Sequence, residues 1–183
     1  KTLQKTVIAM EDTDFYKHNG INIKGILRAL YRDIIAMAFV EGGSTLTQQL
    51  ARNLFLEKHK KIERKIKEVL MAIEIERKYT KTEILELYLN QVYWGHNAYG
   101  IESASQMYYG KKSSDLTLAE AAGLVGMLKG PELFSPFRYF NRFKKRQRVV
   151  LKRMQQLKLI TAEQVEDAYN ENIALASRKR HRY

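Results

Sequence analysis

The chain has no cysteine, and only two of its 183 residues are proline. Without cysteine there is neither a disulfide framework nor a thiolate nucleophile. With so little proline and only ten glycines, a loop-rich all-β protein is a poor fit. No run of about 18 apolar residues occurs, so no stretch reads as a single membrane-spanning helix. Internal repeats, low-complexity tracts and linkers are also missing. A chain of this length fits one domain, 1–183, with a core of ordinary size. It opens at Lys1 with no initiator methionine and no signal-like segment, so we expect a piece of something longer.

Acid is the scarcer charge. Twenty Asp or Glu face 32 Lys or Arg, for a net charge of +12 and a pI near 9.8. Such an excess calls for an anionic partner, and by charge alone nucleic acid, anionic lipid and a pyrophosphate substrate all qualify. Residues 138–160 hold nine Lys or Arg and no acid, and Arg178-Lys179-Arg180-His181-Arg182 lies at the end. A basic helix is often only a solvated face.

What is present reads as helices joined by short polar turns. Capping boxes, in which a hydroxyl and a Glu or Gln three residues on satisfy each other's backbone donors, mark starts at Thr45/Gln48, Thr80/Glu83, Thr117/Glu120 and Thr161/Gln164. Gly110 and Gly130-Pro131 mark stops. Residues 23–40 begin as a basic amphipathic stretch, with Lys24, Arg28 and Arg32 among Ile26, Leu27, Leu30 and Tyr31. They end in seven apolar residues, Ile34 to Val40. On residues alone this is a core helix or a helix lying in a membrane interface.

Two segments are too polar and too varied for a packed core. The first is Glu11-Asp12-Thr13-Asp14-Phe15-Tyr16-Lys17-His18-Asn19-Gly20. The second is Gly42-Gly43-Ser44-Thr45-Leu46-Thr47-Gln48-Gln49-Leu50-Ala51-Arg52-Asn53. Together they suit a site that moves protons and holds a hydroxylated, anionic substrate. A third cluster is Arg64-Lys65-Ile66-Lys67-Glu68, where i,i+3 and i,i+4 spacing puts Arg64, Lys65 and Glu68 on one side of a helix. Ile62, Ile66, Val69, Leu70 and Ile73 make a stripe on the other side, which alone would read as a surface ion pair above a buried face. Met71, Ala72 and Ile75 fall on the Glu68 side, so a cleft position stays open.

These three segments resemble, in order, the first three motifs of the peptidoglycan glycosyltransferases found in class A penicillin-binding proteins and monofunctional glycosyltransferases. Residues 84–95 with 100–105, and residues 120–131, resemble the fourth and fifth motifs. The matches run over roughly residues 7 to 136. The resemblance implies a mainly α, lysozyme-like glycosyltransferase domain with a membrane-associated subregion, and it tips residues 23–40 towards the membrane. An N-terminal anchor and a following transpeptidase domain would lie outside this chain.

The resemblance further implies that Glu11 is a general base on the acceptor sugar's 4-hydroxyl. The apolar residues before it, Val7 to Met10, would favour the raised pKa such a base needs. Asp12 is expected to orient or support, Phe15 to pack, and His18 to anchor the loop. Glu68 would assist departure of the donor's pyrophosphate through neighbouring cations, with Arg64 and Lys65 carrying the diphosphate charge. Ser44, Thr45, Gln48, Gln49, Arg52 and Asn53 supply groups suited to sugar hydroxyls and phosphate at a helix N-terminus. For Thr45 and Gln48 the capping box is an equally good reading. Residues 40 to 44 are expected to move in the absence of substrate. Tyr88, Tyr93, Trp94 and Tyr99 are read as core packing before saccharide stacking.

No cofactor is fixed, although Glu68 leaves room for a divalent cation, Mg or Mn. The implied partners are lipid II and the lipid-linked glycan strand, the membrane surface and moenomycin-type phosphoglycolipid inhibitors, and not nucleic acid. The implied location is the outer face of the bacterial cytoplasmic membrane. A lysozyme-like hydrolase also uses two carboxylates, but it protonates a poor sugar leaving group. A lipid pyrophosphate needs positive charge instead, which Arg52, Arg64 and Lys65 provide. A non-catalytic basic module would explain the charge and not the ordered motifs.

Overall fold

Hydroxyl caps set where several helices begin. The structure, a computed structural model, describes residues 1–36, 43–55 and 61–176. These form α1 (Thr2–Glu11), α2 (Ile23–Ala36), α3 (Leu46–Phe55), α4 (Lys61–Lys78), α5 (Lys81–Gln91), α6 (Ile101–Tyr109), α7 (Leu118–Met127), α8 (Phe140–Gln156) and α9 (Ala162–Asn170). Thr117 and Thr161 close reciprocal capping boxes with Glu120 and Gln164. Thr80 with Glu83 and Thr45 with Gln48 show the same exchange of hydrogen bonds. Among the described residues the only β-type pairing is one isolated bridge, Tyr93 to Tyr99. The protein is therefore mainly α.

The helices gather into two compact units, residues 1–10 with 92–183 and residues 11–91. In the first unit, α7 is apolar apart from the capping Glu120 and is buried from Ala119 to Met127, as a central helix should be. Along its flank α8 buries Phe143, Gln147, Val150, Leu151 and Met154, a three-and-four spacing that makes one stripe. Gly123 allows the close approach, since a Cβ there would lie 2.3 Å from Phe143 Cζ. Gln147 Nε2 donates to the Ala119 carbonyl at 2.8 Å, satisfying a polar group inside this interface.

The basic run of α8 is less free than its composition suggests. Lys144 and Arg148 lie over the Tyr169 ring, Arg142 over Tyr139 and Arg146 over Phe134, while Arg138 pairs with Glu132. Much of the positive charge thus fastens α8 to its surroundings through cation–π contacts. The Arg178–Arg182 cluster lies outside the described residues.

In the second unit α3 is the centre, packed on α4 and α5. It buries Leu46, Thr47, Gln48, Leu50 and Ala51. Helix α4 is turned against the sequence pattern. Ile62, Ile66 and Leu70 are 80%, 58% and 59% exposed, while Glu68, Ala72 and Ile75 are buried. Three residues of the apolar stripe face outward and Val69 and Ile73 are half-buried, while the carboxylate is turned inward. On α2, Ile23, Ile26, Leu27, Tyr31, Ile34 and Ile35 are exposed too, so these side chains are not part of a core within this chain. Residues 37–42 lie outside the described residues, as does most of the 40–44 segment expected to move. Among the described residues no helix is long and apolar enough to cross a membrane.

Candidate functional site

Glu11 is the last residue of α1 and the first of the second unit, and it is half-buried. Its Oε2 accepts a hydrogen bond from Gln49 Nε2 at 3.1 Å. The same amide accepts from the Tyr88 hydroxyl through Oε1 at 3.3 Å. Burial above all, and then the Glu11 charge, push the Tyr88 pKa well above its usual value, against the pull of Arg52. Tyr88 is thus a permanent donor. A donor on Oε1 leaves the amide nitrogen for Glu11, which fixes how the Gln49 side chain is turned.

Asp12, the next residue, turns inward and is buried. His18 Nε2–H donates to both of its oxygens, at 3.0 and 2.9 Å. Asp12 Oδ2 also accepts the Leu46 backbone N–H at 3.0 Å, at the start of α3. The carboxylate thereby satisfies a free helix donor and ties the loop after Glu11 to the helix that carries Gln49. Phe15 is buried beside the His18 ring. Thr45 Oγ1 donates to the Gly20 carbonyl at 2.7 Å, closing the loop's far end onto the same helix start.

Thr45 and Gln48 are both buried, and their polar groups cap α3. Both halves of the capping box read from the sequence are thus in place at the start of α3. Ser44, one residue earlier, is half-exposed and accepts from Lys65 Nζ at 2.7 Å. Arg52 and Asn53 are half-buried on the following turn of α3.

Glu68 is 1% exposed, yet it faces two cations. Lys65 Nζ lies 3.2 Å from its Oε2. Arg64 Nε lies 3.3 Å from its Oε1, an ion pair whose angle falls short of a hydrogen bond. Both cations keep a half-exposed outer side. Segment 44–49 therefore reaches both carboxylates, with Gln49 on Glu11 and Ser44 linked through Lys65 to Glu68.

Both Glu68 oxygens face cations, and among the described residues no group of three His, Cys, Asp or Glu is placed to hold a metal ion. The described residues thus offer no all-protein cage for a divalent cation, and as folded the Glu68 charge is met by Arg64 and Lys65. The aromatics of the fourth segment divide. Tyr88 and Trp94 are in the core, whereas Tyr99 is exposed with its ring centroid 5.0 Å from Tyr93.

The family model described as Transglycosylase matches residues 1–155. The chain belongs to this transglycosylase family. It is 44% identical over 179 residues to penicillin-binding protein 1F of Bacillus subtilis (strain 168), covering 98% of this chain and 25% of that protein. It is 46% identical over 176 residues to penicillin-binding protein 1A of Aquifex aeolicus (strain VF5), covering 96% of this chain and 24% of that one. The crystal structure of penicillin-binding protein 1A from Haemophilus influenzae superimposes with a TM-score of 0.51 at 30% identity, over 72% of this chain and 16% of that chain. The transglycosylase chain thus spans about a quarter of the length of these curated relatives.

Two charged residues outside every segment singled out in the sequence, Glu76 and Lys81, meet Thr47 of the second segment or its neighbours. Glu76 accepts from Thr47 Oγ1 at 2.6 Å and from Lys81 Nζ at 2.8 Å. The only local signal was a Glu near the end of one helix and a Lys opening the next, a pattern shared by countless surface residues.

Proposed function

We propose that this transglycosylase polymerises lipid II into β-1,4-linked glycan at the outer face of the bacterial cytoplasmic membrane, which is the periplasmic side where there is an outer membrane. The whole chain, 1–183, is read as one glycosyltransferase domain. The observation that carries the reading is the pairing of two unlike carboxylate environments by segment 44–49. Glu11 meets an amide and is half-buried; Glu68 is buried against two cations.

In this reading the donor is the lipid-linked glycan and the acceptor is lipid II. Glu11 takes the proton of the acceptor's 4-hydroxyl, and that oxygen attacks C1 of the donor sugar. The C1–O bond to the pyrophosphate breaks on the opposite face, so the α-linked donor becomes a β linkage. Undecaprenyl pyrophosphate leaves as an anion, met by Arg64 and Lys65. Glu68 holds those two cations in place, and its side chain carries no bond to the sugar. Gln49 positions Glu11, while Ser44, Arg52 and Asn53 line the path of hydroxyls and phosphates. Thr45 and Gln48 act through the helix start they cap. Asp12, Phe15 and His18 hold the loop.

A glycosidase needs a protonated acid for its leaving oxygen. The cation pair around Glu68 favours an anionic leaving group instead. The exposed apolar faces of α2 and α4 support contact with the lipid surface that carries both substrates. Phosphoglycolipids of the moenomycin type share the sugar–phosphate–lipid chemistry and are proposed to compete. Nucleic acid is not a partner in this reading.

The test is polymerisation of purified lipid II by the parent and by Glu11→Gln. The parent yields polymer, and the variant loses about 10²–10⁴-fold, the usual range for a general base. A parent that makes no polymer, or a variant at the parental rate, overturns the proposal. Release of soluble muropeptides from preformed glycan replaces it with the hydrolase reading.

A further inference from the structure

The Glu76–Lys81 charge pair is largely buried and belongs to none of the sequence motifs. Glu76 stands on α4, two turns beyond Glu68, with its side chain 6% exposed; Lys81 opens α5 with its side chain 19% exposed. Their N···O distance is 2.8 Å. The same Glu76 oxygen accepts from Thr47 Oγ1 on α3 at 2.6 Å. Lys81 Nζ also sits 4.5 Å from the centroid of the Phe15 ring. Gly20 fits over the pair only because it has no Cβ, which would meet the Ala72 carbonyl oxygen at 2.9 Å and Glu76 Cγ at 3.2 Å.

Each arm of this cluster ends a short covalent distance from a group of the proposed site. Thr47 lies two residues before Gln49, and Phe15 lies four after Glu11. Lys81 begins the helix that bears Tyr88. Glu76 continues the helix that bears Arg64, Lys65 and Glu68. Stability alone is a weak reason to bury such a pair, because desolvation offsets most of the attraction and an apolar pair of equal volume packs as well. Direction is what the charges add. A carboxylate that must meet a hydroxyl and an ammonium at once admits one setting of α3 against α4 and α5, whereas apolar surfaces slide.

We propose that Glu76 and Lys81 are positioning residues for the transfer reaction: together they set α3 so that Gln49 meets Glu11. The kinetic part of this inference rests on the reading of Glu11 as the base; the structural part does not.

The test uses Glu76→Gln and Lys81→Met in the full chain, with Lys81→Arg as the conservative rescue. Glu74→Gln, which breaks the exposed Glu74–Arg77 pair on the same helix, is the control. Three quantities are read on each: the melting transition, kcat and KM for lipid II, and the Gln49 side-chain amide resonance in labelled protein. We expect folded variants whose kcat falls about 10²-fold, the scale of a misplacement near 1 Å, with KM at the parental value. The Gln49 resonance moves to the position of a free amide, Lys81→Arg restores both, and Glu74→Gln matches the parent. Should Glu76→Gln not fold, Thr47→Val removes only the hydroxyl and carries the same expectation. Variants that melt earlier but keep parental kcat per folded molecule, with an unmoved Gln49 resonance, overturn the inference. An inactive parent instead defeats the functional reading, and the resonance still decides the positioning role.

Discussion

Gln49 Nε2 lies 3.1 Å from Glu11 Oε2, across 38 residues of sequence. Because Tyr88 holds the other end of the amide, this donor is oriented before any substrate arrives. Such preorganisation would hold the proposed base in the orientation that proton transfer requires. Replacing Gln49 with Met keeps the volume and removes the donor. The donor by itself favours the ionised carboxylate, so what Gln49 adds is orientation, and its loss should slow polymerisation by about 10- to 100-fold, the scale of a small misplacement. Tyr88→Phe, which only frees the amide to turn, should cost less. Steady-state rates on lipid II measure both, and a Gln49→Met rate equal to the parent's would contradict the role.

Gly20 is held at φ +85°, where side chains are strained, and a Cβ would reach the Ala72 carbonyl oxygen. Strain of this kind costs about 1–3 kcal/mol before the steric term is added. Gly20→Ala is therefore expected to lower unfolding free energy by about 3 kcal/mol or more, read from denaturant melts. Gly20→Asn tolerates the positive φ but meets the same backbone atoms, so it should not rescue. If it does, dihedral strain alone governs the position.

High pH should unfold the protein through its buried tyrosines. Burial first, then Glu11, raises the Tyr88 pKa well above 10.0. Burial first, then Glu120, does the same at Tyr109. Above that pH the unfolded chain has lost protons that the native state keeps, so stability falls as pH rises and is fully present below about pH 10. Each group adds a slope of about 1.4 kcal/mol per pH unit. Tyrosinate absorbance of these groups should appear together with loss of helical circular dichroism. Tyr88→Phe should flatten the decline by one such increment.

Leu27 and Ile34 are 61% and 66% exposed on α2. Changing either to Ser should leave stability within about 0.5 kcal/mol, as for most surface sites. Binding to anionic lipid vesicles should fall by about tenfold for each, the scale of one apolar side chain withdrawn from water. Sedimentation with vesicles measures this. Unchanged binding would remove α2 from the membrane contact.

Local chemistry was legible in the chain, and long-range geometry was not. The boxes at Thr45, Thr80, Thr117 and Thr161 could be read because both partners lie three residues apart. Gly110 could be read as a stop because a helix end favours its left-handed conformation. Asp12 and Glu11 are neighbours in sequence, but nothing local says that one turns to the Leu46 amide and the other to Gln49. Those partners are 34 and 38 residues away. Glu76 and Lys81 escaped notice for the same reason, since Thr47 and Phe15 meet them only after folding. An apolar stripe normally marks the buried face, so on α4 the stripe pointed to a surface ion pair while Met71, Ala72 and Ile75 kept a cleft position for Glu68 open. Here the buried face was marked by a carboxylate and two small or branched neighbours, Ala72 and Ile75.

That inversion on α4 has a practical corollary. With Ile62, Ile66 and Leu70 bare, α4 presents an apolar strip to water, the kind of surface that the proposed lipid contact would cover. Crystallisation trials, activity assays and inhibitor screens run in plain buffer leave these three side chains in water.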